Sequence, residues 1–361
     1  MTDHLSLAVE IDGSGRHPES WRRSSRTPAE SVGPRRWTRA ARGAENAGFA
    51  LATVSDAPLP SGRVPQPRLD AVLRASFASN LTSRIGWAPQ VHPRAVEPFH
   101  LAAQLASLDH ASRGRAAWLV GDDDLPGLAA ALGRDVPTAP EARRREVVQV
   151  IDAVRRLWDS WDDDAVVKDV ATGRYIDADR VRYTDVEADT FTIRGALITP
   201  RPPQGQPVVL VPDGLLRDEE VPGRADVVLV GHPDLGAGVA RAADVRRLGA
   251  LAFLDLRVTL DTPGATSAER LLALGADHDD VASYDGDVAG LVALLTSLRG
   301  EVDGVRLLPT VLDEDLPVLA GHVLPALSLA RVAHPPRPAT HLRTTLGLPR
   351  PANRFDQEVA S

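Results

Sequence analysis

Two hydrophobic periods alternate along this chain, and the clearest switch between them lies at residues 85–120. Ile85 to Val91 is a short apolar run of strand length. Leu101, Leu105 and Leu108 then recur at helical spacing, with Ala102, Ala103 and Ala106 on the same side. Pro98 stands where a first helical turn accepts proline, and Gly114 suits the left-handed position that ends a helix. Ala116 to Val120 is strand-like again. Strand, helix and strand in so short a span predict a parallel βαβ unit.

The same alternation runs through the chain. Leu5 to Glu10, Phe49 to Val54, Val208 to Val211, Asp226 to Val230, Ala250 to Val258 and Gly304 to Leu308 read as strands. Ala29 to Ala47, Leu69 to Ser79, Glu141 to Trp158, Ala237 to Arg247, Ser267 to Leu274, Val288 to Leu298 and Leu316 to Arg331 read as helices. Asp122 to Pro140 reads as a loop that opens on the acidic run Asp122-Asp123-Asp124. About eight strands alternating with helices predict an α/β fold, a TIM-like (β/α)8 barrel and not an open doubly wound sheet. The rhythm breaks in an irregular insertion around 162–207 and stops in a proline-rich tail at 335–361. The expected organisation is a single barrel domain over 1–361.

Composition narrows the function. The 361 residues are 43% apolar, enough for a large core. A formal charge of −8 argues against nucleic acid or an anionic membrane as partner. The chain has no cysteine, which excludes disulfides, thiolate metal sites and a cysteine nucleophile. No metal-ligand spacing is present, and no apolar stretch reaches membrane-span length, so a cytoplasmic protein acting on a small molecule is expected.

Five stretches carry a resemblance: EPFHLAAQLASLDHASRGRAAW (97–118), LWDSWDDDAVVKDVATGRYID (157–177), FTIRGALITPRPPQGQPVV (191–209), VDGVRLLP (302–309) and LRTTLGLPRPANRF (342–355). Together the chain resembles the luciferase-like flavin-dependent monooxygenases, in the branch of nitrilotriacetate monooxygenase and the sulfone monooxygenases. The resemblance implies a homodimeric barrel that uses O2 and FMN, reduced by a separate flavin reductase, to oxidise a small organic substrate. A non-catalytic paralogue that binds a ligand or partner, and a deazaflavin-dependent oxidoreductase, are the alternatives.

The resemblance also implies site residues. Asp56, just after the second strand, matches a flavin-contacting aspartate. Gln90 and His92 end the third strand and are expected to line the pocket, His92 as a proton relay. Read from the residues, Trp87, Trp118, Trp158 and Trp161 are mostly core or insertion packing, with stacking of Trp87 or Trp118 on a flavin ring as the alternative. In the segment after the fifth barrel strand, Pro212 to Asp226, the family grips the FMN phosphate with a serine and a glycine. Gly214 and Arg217 stand near those positions here, and Arg217 is the expected phosphate clamp. Asp218-Glu219-Glu220 follows it and opposes an anion.

Overall fold

The computed structural model describes residues 4–23, 27, 30, 32–59, 67–121, 127–277 and 279–356. The acidic run at 122–124 lies outside them. Strands β1 (Ser6–Glu10), β2 (Leu51–Val54), β3 (Gly86–Val91) and β4 (Ala117–Val120) come first. Inside the insertion lie two small antiparallel hairpins, β5 (Val166–Asp169) with β6 (Arg174–Ile176), and β7 (Val186–Glu187) with β8 (Thr192–Ile193). Then follow β9 (Val208–Pro212), β10 (Val227–Val230), β11 (Leu251–Leu260), β12 (Ala282–Gly286) and β13 (Gly304–Pro309).

Eight of these strands close a parallel barrel in the order β1-β2-β3-β4-β9-β10-β11-β13, with β13 returning to β1. Strand β12 is an addition that the sequence pattern hides. It pairs with Leu256–Leu260 of β11, beyond the point where β10 stops. Its sequence ASYDG alternates, but only Ala282 is fully buried, so it carries almost no apolar signal.

The helices are α1 (Pro34–Ala47), α2 (Ala71–Ser79), α3 (Pro98–Ser112), α4 (Leu128–Leu132), α5 (Pro140–Trp158), α6 (Leu235–Arg247), α7 (Ser267–Leu274), α8 (Val288–Ser297), α9 (Leu312–Val318), α10 (Leu324–Leu329) and α11 (Leu342–Thr345). Helix α3 shows how local chemistry fixes the ends. The Glu97 carboxylate accepts from the N–H groups of Phe99 and His100 at 3.0 and 2.8 Å, and Pro98 takes the first turn. At the other end both Arg113 (φ 58°) and Gly114 (φ 80°) are left-handed. The last helix of the sequence reading starts earlier than expected, at Leu312, and a π-turn at Leu319–Val323 divides it just after Pro317.

Two apolar shells hold the barrel. Inward-facing Ala8, Leu51, Ala88, Ala117, Leu210 and Phe253 fill its lower half, and Leu342 and Leu346 of the C-terminal segment plug the bottom. The outer shell packs the other strand faces under the helices. Glycine is required at Gly304, where a Cβ would stand 2.6 Å from the Phe253 ring.

The stretches that carry the resemblance converge at the bottom, where the strands begin. Asp109 accepts from the Gln204 side chain at 2.6 Å and from Ala116 N–H at 3.1 Å. Asp159 pairs with Arg201 at 2.9 Å and accepts from Gln206 at 2.6 Å. Burial pushes both carboxyls up, against those donors. Asp226 lies between Arg155 and Arg343; burial opposes its charge, but the two guanidiniums prevail and hold it below the usual range.

Asp163, nearer the surface, is held down to about 2 by hydrogen bonds from Arg350, with Arg201 behind it. An unfolded aspartate titrates near 3.9, so this interaction stabilises the fold above about pH 4 and is lost as pH falls towards 2. Asp163→Asn should therefore destabilise the protein at pH 6, and the difference from the parent should vanish by pH 2. Melting curves across that range check it, and a difference of constant size would refute it.

Candidate functional site

Strand parity builds the site at the opposite end, the C-terminal mouth of the barrel. Because Phe253 faces inward and Leu254 outward, Asp255, Arg257 and Thr259 of β11 also face inward. The same count brings Glu10 of β1, Thr53 of β2, Gln90 of β3 and Arg306 of β13 into the upper barrel, over an apolar floor. Asp255 and Arg306 are register partners and form a two-bond ion pair at 2.7 and 2.5 Å. Burial works against the Arg306 charge, and Asp255 overcomes it, holding the guanidinium protonated. The Ser55 hydroxyl donates to Glu10.

Three of the residues expected from the sequence come together on the β2–β3 side. Asp56 N–H donates to Gln90 Oε1 at 3.0 Å, and His92 Nε2 lies 3.2 Å from the Asp56 carbonyl. The His92 ring lies over Gly121, where a Cβ would stand 2.6 Å from it. The Asp56 carboxylate itself is engaged by backbone: Oδ1 accepts from Ala57 N–H at 2.8 Å and Oδ2 from Ala71 N–H at 2.7 Å, the start of α2. Its side chain thus orders the loop and the helix end.

Arg217 stands apart from that group. It lies on the rim after β9, with a half-exposed side chain that donates to Glu141. Its backbone N–H donates to Glu220 at 2.9 Å, closing a 3₁₀ turn over Asp218–Glu220. Arg144 donates to Glu220 and Glu141. Arg241 holds Asp213 at 2.9 Å and Asp218 at 2.6 Å.

Three guanidiniums thus meet five carboxylates along this segment, counting exposed Glu219. An FMN phosphate needs open N–H donors and a positive field. Here the Arg217 N–H serves Glu220 and the Gly214 N–H serves Asp213, at 2.9 and 3.1 Å. Each nearby carboxylate adds repulsion of order 1 kcal/mol at partly screened range. The residues present do not fit the phosphate end of FMN.

The tryptophans take the core-packing reading, and the stacking alternative falls. Trp87 and Trp118 are fully buried in the outer shell, where their indole N–H groups donate to Thr82 Oγ1 and Val91 O at 3.1 and 3.0 Å. Neither can stack on a ligand in the mouth. Sequence reasoning missed Glu10, Thr53, Asp255, Arg257 and Arg306. The signal was present in LAFLDLRVTL (251–260), whose polar residues all fall on one parity.

Beside the mouth, α1 and α2 bound a groove of about 330 Å³ lined by Val32, Trp37, Leu69, Leu73 and Phe77. Leu69, Leu73 and Phe77 are 51%, 68% and 44% exposed, an apolar stripe on α2 and the residues just before it. Among the described residues no helix is long and apolar enough to cross a membrane.

Residues 19–267 match the family of luciferase-like monooxygenases. The chain is 34% identical over 336 residues to a component chain of the pristinamycin IIA synthase of Streptomyces pristinaespiralis, covering 91% of this chain and 94% of that protein. It is 30% identical over 209 residues to N-acetyl-S-(2-succino)cysteine monooxygenase of Bacillus subtilis (strain 168), covering 57% of this chain but only 47% of that protein. The barrel superposes on EDTA monooxygenase of Chelativorans sp. BNC1 with a TM-score of 0.81 at 20% identity, over 96% of this chain and 99% of that one.

Proposed function

We infer, from the premise that the chain belongs to the luciferase-like monooxygenase family, that it works in flavin-dependent monooxygenation of a small organic substrate. By family it is a flavin-dependent monooxygenase-like oxidoreductase. The reduced flavin comes from a separate reductase. The observation that carries the reading is the mouth: a polar ring of Glu10, Thr53, Gln90, His92 and Arg257 above an apolar floor, at the face where barrel enzymes act. The floor excludes water from below, and the ring offers hydrogen bonds that orient a substrate. Asp56, Gln90 and His92 form the wall nearest the flavin in this reading.

A second reading is favoured by the closed ion-pair lattice after β9. The chain then serves as one half of a two-chain monooxygenase, and its partner grips the cofactor phosphate. The similar protein from Streptomyces pristinaespiralis is itself named as one subunit of a synthase.

Flavin titrations of the purified chain test both. Reduced FMN and reduced riboflavin are expected to bind within about threefold of each other, because a discriminating hydrogen bond to a charged group, worth roughly 1.5–3 kcal/mol, would have to come from donors that already serve carboxylates. FMN binding more than tenfold tighter, and reduced to the riboflavin level in Arg217→Ala, would restore Arg217 as a clamp. No binding of FMN, riboflavin or a deazaflavin in either redox state would leave only the two-chain reading.

The apolar stripe on α2 supports association, as an isologous homodimer through α1 and α2. Leu73→Glu places a charge on that stripe and is expected to yield monomer with an unchanged melting temperature. A parent chain that sediments as monomer at tens of micromolar would sink the dimer.

A further inference from the structure

Arg257 is the unusual member of the mouth. Its side chain is only 13% exposed, yet among the described residues it makes no hydrogen bond, and its Nε is buried without a partner. A guanidinium has five N–H donors in a planar fork, and leaving the buried Nε–H unmet is costly. Charge is not what it lacks. Asp277 and Asp279 stand 3.9 and 3.8 Å away, beyond hydrogen-bonding reach but close enough to neutralise it. Asp279 is turned to Arg16, which it binds at 3.0 and 3.3 Å. Around the upper barrel the guanidiniums of Arg16, Arg257 and Arg306 face the carboxylates of Glu10, Asp255, Asp277, Asp279 and Asp280. Two carboxylates already stand beside the Arg257 guanidinium, so a further anion there meets their repulsion. The missing partner is an acceptor without a charge.

A second observation agrees. The Thr53 hydroxyl, fully buried and inward-facing beside Glu10, also has no partner among the described residues. Both orphaned atoms belong to inward-facing side chains of the upper barrel, on strands β2 and β11.

We propose that Arg257 is a specificity-determining residue that holds a neutral carbonyl oxygen, of an amide, lactam or ester, on the substrate of this barrel. This rests on the mouth being the substrate site, as in the proposed function, but it needs no bound flavin. It separates this chain from a polycarboxylate-binding barrel, because a carboxylate would meet the repulsion of Asp277 and Asp279 while a neutral carbonyl would not.

Benzamide and benzoate, near-isosteres that differ in charge, test it by calorimetric titration of the flavin-free protein. Benzamide is expected to bind at least tenfold more tightly. Arg257→Lys keeps the charge but loses the fork, and should weaken benzamide at least tenfold without lowering the melting temperature. The carbonyl stretch of 13C-labelled benzamide should move to lower frequency on binding and return in the variant. Equal or tighter binding of benzoate overturns the proposal, as does an unaffected Arg257→Lys protein. So does binding of neither probe, since water alone would then satisfy the guanidinium. If the variant fails to fold, the infrared band on the parent decides, and an unshifted band overturns it. Failure of oxygenation with flavin and reductase would leave these binding results untouched, so the two readings fail separately.

Discussion

Asp226→Ala is expected to lower the unfolding free energy by about 3–5 kcal/mol, the usual cost of breaking a buried ion pair from one side. Three groups lose their partner at once. Arg155 and Arg343 donate to Asp226 at 2.8 and 2.9 Å, and their side chains are only 4% and 5% exposed. Val209 N–H donates to the same carboxylate at 2.9 Å. Two cations would be left facing each other in a nearly dry site. The position also multiplies the damage, because Asp226 joins α5, the starts of β9 and β10, and the segment that plugs the barrel. The melting temperature should fall by on the order of 10 °C. Asp226→Asn keeps an acceptor for Val209 and should cost less. Calorimetry on the three proteins decides, and an alanine variant within 1 kcal/mol of the parent would show that the clamp is ornamental.

This cluster explains why the family resemblance was readable and the cofactor site was not. LWDSWDDD, RPPQGQPVV and LRTTLGLPRP supply Asp159, Gln204, Gln206 and Arg343, which bind one another at the bottom of the barrel. Each of these residues satisfies a buried partner, so together they report the fold.

Asp56, Gln90 and His92 could be placed near one another because strand ends are legible from period-two patterning and the mouth lies at strand ends. Arg217 could be given a place in the chain but not a partner, since Glu141 lies 76 positions away and on another element. Glu10, Thr53, Arg257 and Arg306 needed one more fact, namely which parity of each strand faces the axis. Closure of the barrel supplies that fact, and no single strand contains it. The same parity puts Trp87 in the outer shell, one residue off the inward parity set by Ala88.

The Asp255–Arg306 pair gives the sharpest test of the mouth. Asp255→Ala is expected to cost about 3–5 kcal/mol, because Arg306 is then left charged in the barrel with nothing opposite it. The pair is 8% and 10% exposed, bridges β11 to β13, and sits directly beneath Arg257. Replacing both residues, as Asp255→Leu with Arg306→Met, removes the charges and keeps most of the volume. That double variant should return to within about 1 kcal/mol of the parent, since burying an ion pair gains little over burying apolar groups of similar size. The two variants thus separate stability from function. If the ion pair exists to set the field under the ligand, the double variant melts like the parent but binds benzamide at least tenfold more weakly. If it exists to hold the barrel together, the double variant is as unstable as Asp255→Ala. A double variant that is both stable and fully competent to bind would remove the polar ring from the function altogether and return the chemistry to the β2–β3 wall, where Gln90 and His92 are the groups left to carry it.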